Sequence, residues 1–450
     1  MKSNNRQAED SQALRRVSTG VAGRSPAADR NAPQRRRPVV SPATVRILHV
    51  HGRMGRGGAE MRTVEIFRNI DRRRYQFHFC VLSGMPGELD DEVRALGGEV
   101  HMMRVSQRGF AEQFEGLLRR QLYDVVHSHL HYRSGYLMRL AARCGVPVRV
   151  AHFRSSHEQR CGTPLRRLAQ RVLSPFVECY ASRRVLRGWI DRYATDVLGV
   201  SKGSLSAAWS PQWQSDPRCR VVYDGLETLP FAADPDSQGV RREFALPDED
   251  PLLIHVGRMT EAKNHPRLIL MFAELLKRRP TARLLLVSRA AVTADEIANE
   301  RLVRRRIDEL GIGGRVIFGG ERTDVPRLMK ASDLLVFPSR WEGLGDVVLE
   351  ACAAGTPTLC SDLPSIREIS HHLSGVECLS LQKPDDEWAR RAEQLADNRP
   401  LPEARQAALE RFARSVFTVE ECMESLRRVW LRRNPMPQDS MLVDEGIASV

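Results

Sequence analysis

Short apolar runs alternate with segments of helical length, and the chain does this twice. "VRILHV" (45–50) leads through a glycine loop into "AEMRTVEIFRNI", and "YQFHFCVL" (75–82), "EVHMMRV" (99–105), "DVVHSH" (124–129) and "VPVRVAHF" (146–153) repeat the unit. Strands separated by helix-length crossovers run parallel, and such crossovers are right-handed. The pattern pauses over residues 223–251, rich in Pro, Asp and Gly. It resumes with "LLIHVG" (252–257), "ARLLLVS" (282–288), "RVIFGG" (315–320), "DLLVFPS" (333–339) and "TPTLCSD" (356–362). The expected fold class is α/β, with two doubly wound domains facing across a cleft. A length of 450 residues agrees, because single cores stop growing well below that size. Ligands of such sheets lie beyond the carboxyl ends of the strands, so functional residues are sought just after them.

Composition removes several classes. Net charge is +13, but arginine supplies all but six of the 69 cationic side chains, a bias that makes arginine abundance a poor guide to function. Residues 1–46 hold ten Lys/Arg against three acids in a Ser/Pro/Ala/Arg segment without apolar period, expected to be a disordered arm. The arm lacks the apolar h-region of a secretory signal, Glu9, Asp10 and Asp29 argue against a transit peptide, and no run reaches the length of a membrane span. Its "RRR" (35–37) has no interleaved aromatics, so no nucleic-acid partner is expected. Nine cysteines without a C-x2-C pair suit free thiols in a reducing compartment.

Two stretches carry chemistry. In "HVGRMTEAKNHP", Gly257 ends a strand, Arg258 and Lys263 project from the loop, and Asn264 and Pro266 signal a helix start. Two cations before a helix N-terminus suit a polyanion such as a diphosphate, or are simply solvated loop charges. In "RWEGLGDVVLEACAAGTP" (340–357), Glu342 and Glu350 flank Gly343 and Gly345. The glycines predict a loop over 342–345 and a helix from Asp346, capped by it, to Gly355. Glu342 then faces the cleft from the loop and Glu350 from the helix. Two such carboxylates accept hydroxyls of a vicinal diol, or are two surface acids.

"VGRMTEAKNH" together with "PSRWEGLGDVVLEACAAGTP" resembles the retaining nucleotide-sugar glycosyltransferases of family 4, with the two-Rossmann GT-B fold. "LHVHGRMGRGGAEMRTVEIFRNID", "YDVVHSHLHYRSG", "LGVSKG" and "VVYDGLE" follow in the family's order, so the likeness runs from about residue 45 to 433. It implies a disordered arm over 1–42, an acceptor domain over 43–225, a donor domain over 226–417, a helix over 418–433 returning to the first domain, and a flexible tail over 434–450. It also implies roles. Arg258 and Lys263, with Gly257, fall on the residues that grip the donor diphosphate. Glu350 matches the acid that holds ribose hydroxyls. Glu342 matches the acid near the transferred sugar, with Gly343, Leu344 and Gly345 lending backbone N–H groups. His129 matches the histidine that points across the cleft at the sugar ring. Gly57 and Gly58 lie where the first-domain loop closes on phosphate and acceptor, and Arg322 to Asp324 near the nucleobase edge. The catalytic set implied is Arg258, Lys263, Glu342 and His129.

The partners implied are a nucleoside-diphosphate sugar and a glycan or lipid-linked acceptor, in bacterial surface polysaccharide synthesis, in the cytoplasm. Residues 160–192, with eight arginines against two acids among Leu, Val, Phe and Trp189, suggest contact with an anionic membrane face. No cofactor or metal is expected: no Asp-x-Asp stands where it would hold a divalent ion, and the alternating His127, His129 and His131, expected on one strand face, have no Cys or carboxylate cluster beside them. Two departures from the family stand out: Asp346, usually apolar or small, and Asp224-Gly225 in place of Asn-Gly. A GT-B nucleotide-sugar epimerase and a non-catalytic sugar-nucleotide binder are the alternative readings.

Overall fold

The structure, a computed structural model, describes residues 44–157, 183–233, 236–247 and 249–432. The arm (1–42), the tail (434–450) and most of the basic stretch 160–192 lie outside the described residues.

The first sheet holds β1 (Val45–His51), β2 (Tyr75–Val81), β3 (Glu99–Met102), β4 (Val125–Ser128), β5 (Val148–Phe153), β6 (Asp196–Gly199) and β7 (Cys219–Val221), all parallel, in the order β3-β2-β1-β4-β5-β6-β7. The second holds β8 (Leu252–Val256), β9 (Arg283–Val287), β10 (Val316–Gly320), β11 (Leu334–Phe337), β12 (Thr358–Ser361) and β13 (Val376–Leu379), in the order β10-β9-β8-β11-β12-β13. Helices cover both faces, so central strands such as β11, "LLVF", are buried throughout and read as unbroken apolar runs. The strands without an apolar run in the sequence are short and carry a charge: Asp196 in β6, Arg220 in β7, Glu377 in β13.

Each sheet reverses its strand order once, beside its first strand. The crevice of the first sheet therefore opens between β1 and β4, beyond His51 and Ser128, and that of the second between β8 and β11, beyond Val256 and Phe337. The two halves touch there. Ser201 Oγ donates to the Gly343 carbonyl at 2.6 Å, and the amides of Lys202 and Gly203 donate to Glu368 at 2.9 Å each.

The helix Val419–Trp430 belongs to the first core, although the chain has already built the second domain before reaching it. Cys422, Met423, Leu426 and Trp430 pack with Val45, Ile47, Tyr75 and Phe77. The Trp430 ring meets Phe77 edge-on at 5.5 Å, and its Nε1 donates to His127 Nδ1 at 3.3 Å. Because His127 Nδ1 accepts, its proton sits on Nε2, which donates to His152 Nδ1 at 3.1 Å. His49 adds a second pair, Nδ1 to His129 Nε2 at 3.1 Å. Burial first, and neighbouring cationic groups second, hold His49, His127, His129 and His152 well below the usual histidine range. They are neutral hydrogen-bonding members of the core.

Trp430→Ala removes an anchor of the first core from the last helix and should cost about 3–5 kcal/mol in denaturant unfolding; a loss under about 1 kcal/mol would contradict the packing. The histidines set an acid limit. A buried histidine with a lowered pKa takes its proton only on unfolding, so its effect is absent above the unfolded value near 6.5. Stability then falls, by up to about 1.4 kcal/mol per pH unit for each such group, as pH drops toward the folded pKa. Unfolding measured across that window should show His152→Gln with a shallower acid slope than the parent, by about that amount.

Candidate functional site

The second sheet's switch point gathers the cationic motif and the first glutamate. Lys263 Nζ lies 2.7 Å from Glu342 Oε1 and 4.6 Å over the Phe337 ring, with 20% and 11% of the two charged side chains exposed. Gly257 lies beside it, and a Cβ there would sit 3.1–3.3 Å from the Lys263 stem, so the lysine would have to shift by a few tenths of an ångström. Asn264, with φ +56°, does not cap its helix through its side chain; Nδ2 donates instead to the Pro338 carbonyl at 3.1 Å and ties the β8 loop to the β11 loop. Arg258 leaves the group. Its guanidinium is 47% exposed and sits 3.8 Å from Glu296, a carboxylate that Arg289 also holds at 2.7 Å.

The turn that follows β11 is fixed by contact with the first domain. A Cβ on Gly343 would overlap the Arg154 carbonyl, and Gly345 takes φ +106° as the residue before the helix Asp346–Ala354. Leu344 is buried in the second core, so only its backbone can serve a ligand. Asp346 is the first helical residue and not the cap. Gly345 holds that position with no side-chain hydrogen bond, and the Asp346 carboxylate turns across the seam to Arg62 Nε at 3.7 Å. A guanidinium from the other domain, absent from the local sequence, draws this carboxylate away from the helix end.

Arg62 is the main residue that sequence reasoning missed. It lies on the helix Gly58–Asn69 of the first domain, is buried, and donates from Nη2 to Glu350 Oε1 at 2.6 Å. It also contacts Glu65 one turn along its own helix. Next to this group Arg154 Nη2 meets Asp224 Oδ1 at 2.8 Å. The seam thus holds two guanidiniums against four carboxylates, Glu65, Asp224, Asp346 and Glu350. Burial pushes both Glu350 and Asp224 up to about 7, with Asp346 adding like charge to each and the arginines opposing. Both shifts favour the protonated form, which relieves the surplus negative charge.

The first-domain residues line the facing crevice. Gly57 precedes the helix that carries Arg62, and a Cβ on Gly58 would come within 2.8 Å of Asp346 Oδ2, so Gly58 faces the second domain. His129 leaves β4 toward the crevice, its ring stacked on His51 at 4.2 Å and on His127 at 4.4 Å. His131 does not share their face as expected. It sits past the strand with φ +54° and packs edge-on against Phe153. Arg322 follows β10, two strands from β8 and thus about 10 Å along the sheet. Its nitrogens are committed to Asp324 and Glu243, so the structure does not bring it together with Lys263.

His49, His51 and His129, and likewise His127, His129 and His152, come within ligand distance of one another. Imidazole binds a metal through a lone pair in its ring plane. In each set His129 stacks nearly parallel on a partner, at 13° and 18°, which keeps those lone pairs side by side instead of convergent. Among the described residues no helix is long and apolar enough to cross a membrane.

The site therefore consists of a lysine–glutamate pair, a glycine turn, a partly buried second glutamate and a facing glycine loop, assembled where two strand orders reverse. The family description "Glycosyl transferase 4-like domain" matches residues 57–207, and "Glycosyl transferases group 1" matches 236–412. The chain is 26% identical over 335 residues to the capsular polysaccharide biosynthesis glycosyltransferase CapH of Staphylococcus aureus, covering 73% of this chain and 84% of that one. It is 29% identical to the putative glycosyltransferase EpsF of Bacillus subtilis, covering 80% and 90%. In fold it is similar to HepE of Anabaena, solved with UDP, at a TM-score of 0.67 and 18% identity over 86% of this chain and 98% of that one. Two matched domain descriptions, relatives aligned over most of their length and the paired parallel sheets agree: the chain belongs to the family 4 glycosyltransferases and has the GT-B fold.

Proposed function

We propose that this glycosyltransferase moves a hexose from a nucleoside-diphosphate sugar to a glycan or lipid-linked acceptor, with retention at the anomeric carbon and no metal ion, in surface polysaccharide synthesis. The observation that carries the reading is the Lys263–Glu342 pair at the second switch point, a half-buried cation already held by a carboxylate in the crevice. Capsular polysaccharide biosynthesis in the name of one relative supports the pathway, and UDP bound to a structural neighbour supports the donor class. Retention follows the family resemblance.

The chemistry follows from charge. As the glycosyl–phosphate bond breaks, negative charge grows on the departing diphosphate while the sugar becomes oxocarbenium-like. A preorganised ammonium is therefore worth most in the transition state. Lys263 is that group, Glu342 orients it and faces the sugar, and the amides of the 343–345 turn and the helix start behind it add partial positive charge. Arg258, exposed and loosely paired, swings to the diphosphate. His129, neutral and pinned by His49, offers the sugar a hydrogen bond without adding charge. Glu350 receives the ribose diol once Arg62 releases it. The exposed arginines of the helix Arg183–Tyr193, whose Leu186 and Ile190 are buried, support an anionic surface on the acceptor side.

Lys263→Ala should lower kcat by about 10²–10³ in the presence of EDTA and leave the fold intact. Near-normal turnover would remove the assigned role, and dependence on added metal would remove the metal-free chemistry. With a labelled panel of UDP-, GDP- and ADP-sugars, transfer to acceptor supports the proposal; epimerised donor, or binding alone, supports the alternatives instead.

Glu350→Ala should raise donor KM by about tenfold or more with kcat changed little, because ribose contacts are the same in ground and transition states. Equal losses in kcat and kcat/KM for Glu350→Ala would contradict the ribose assignment.

A further inference from the structure

Away from the crevice, the first domain has an open cavity of about 460 Å³. It lies between the helix Arg183–Tyr193 and the turn that follows the helix Lys202–Ala208. Trp213, partly exposed, forms an aromatic wall, with its Nε1 tied back to Ser206 Oγ at 3.1 Å. Gln212 is exposed beside it. Asp191, Arg184 and Arg187 line it from the helix Arg183–Tyr193, and Asp216 from the turn before β7.

The chemistry of the lining is specific. An indole fixed by its own N–H presents a flat apolar face, which suits the C–H face of a pyranose. The amide of Gln212 and the two carboxylates offer the directional partners that hydroxyls require. Both carboxylates are preset by one residue. Arg218 holds Asp216 through Nε at 3.0 Å and Nη2 at 2.7 Å, and reaches Asp191 Oδ1 at 2.8 Å. Arg218 also keeps Asp216 below the usual carboxylate range, so its oxygens stay available as acceptors. Arg187 lies over the Trp209 ring at 5.1 Å, and neither it nor Arg184 forms an ion pair among the described residues. Arg184 and Arg187 line the cavity with Asp191 and Asp216, which share Arg218, so three guanidiniums stand against two carboxylates and the local surplus is positive.

Position gives the cavity its meaning. The helix Lys202–Ala208 begins at the crevice, where Ser201 Oγ bonds the Gly343 carbonyl, and ends at Trp209 on the cavity wall. Seven helical residues span about 10 Å, so the cavity wall at Trp209 lies roughly one such helix length from the Ser201 contact with the glycine turn. We infer that this cavity is an acceptor subsite for an acidic saccharide unit, one that carries a carboxylate or an acidic substituent, lying upstream of the hydroxyl that receives the sugar. The inference rests on the glycosyl-transfer reading above and deepens it: the growing chain is gripped at two places, and the distal one selects for negative charge.

The test uses the full chain and defined probes. Tetragalacturonate, neutral maltotetraose and inorganic phosphate are titrated calorimetrically, and UDP-, GDP- and ADP-glucose binding is followed in parallel by thermal shift. Tetragalacturonate should bind at least about tenfold more tightly than maltotetraose, and phosphate should not compete with it. Trp213→Ala and the pair Arg184→Gln/Arg187→Gln should each weaken tetragalacturonate by about tenfold, whereas Trp213→Phe stays close to the parent. Sugar-nucleotide binding should be unchanged in all of them. If Trp213→Ala does not fold, as judged by near-ultraviolet circular dichroism, Gln212→Ala and the arginine pair decide. Absence of tetragalacturonate binding, binding indifferent to these variants, equal binding of maltotetraose, or displacement by phosphate each overturns the subsite. A parent that binds sugar nucleotide but no tetragalacturonate loses only this inference. A parent that binds tetragalacturonate but no sugar nucleotide loses the donor reading and keeps the cavity.

Discussion

Arg62 and Glu350 are 288 residues apart in the chain and 2.6 Å apart in the fold, and the cleft depends on that ion pair. A guanidinium buried to this degree is costly unless carboxylates surround it, and a carboxylate in the same place is costly unless a cation or a proton accompanies it. The two solve each other's problem only when the first and second domains meet. The pair therefore acts as a seam closure and as a stand-in for ligand, since the acid assigned to the ribose is the one the arginine occupies. Asp346 and Glu65 extend the carboxylate side, and Arg154 with Asp224 continues the seam toward the linker. Burial pushes Glu350 and Asp224 up to about 7, and Asp346 adds like charge that the arginines oppose.

Topology explains why the cleft lies where it does. In each sheet the first strand of the domain is central, and the chain moves outward to one side before crossing to the other. The loops after β1 and β4, and after β8 and β11, therefore splay apart and leave room for a ligand. Gly257, Lys263, Glu342 and the 343–345 turn come from the second pair of loops, and Gly57, Gly58 and His129 from the first. Arg258 shares the loop but points to Glu296, and Arg322 sits two strands away, bound to its own carboxylates. Convergence is thus narrower than a motif suggests: being in the right loop does not aim a side chain.

The first domain is finished late. Its core waits for Trp430, which donates to a histidine whose tautomer is thereby fixed, and that histidine donates to the next. A chain of neutral imidazoles from the C-terminal helix to the crevice edge stiffens the strand that carries His129. Neutrality suits the contact of His127 with His129, because two charged rings nearly parallel at 4.4 Å would repel.

The periodicities, the linker, the two site motifs and the family resemblance were all legible in the amino-acid order, because each is written within a window of about ten to twenty residues. Central apolar strands are read easily for the same reason, while β6, β7 and β13 hide because short strands bearing a charge make no run. Gly345 could be read as a helix boundary from its own neighbours. Whether Asp346 caps that helix could not, since the winning partner, Arg62, lies in the other domain. The tertiary structure alone decided the seam ion pairs, the contacts through which the last helix enters the first core, the histidine stack and the cavity beside Trp213. All of these depend on groups brought together from distant parts of the chain, where burial strengthens a charge or a hydrogen bond that local sequence has no means to specify.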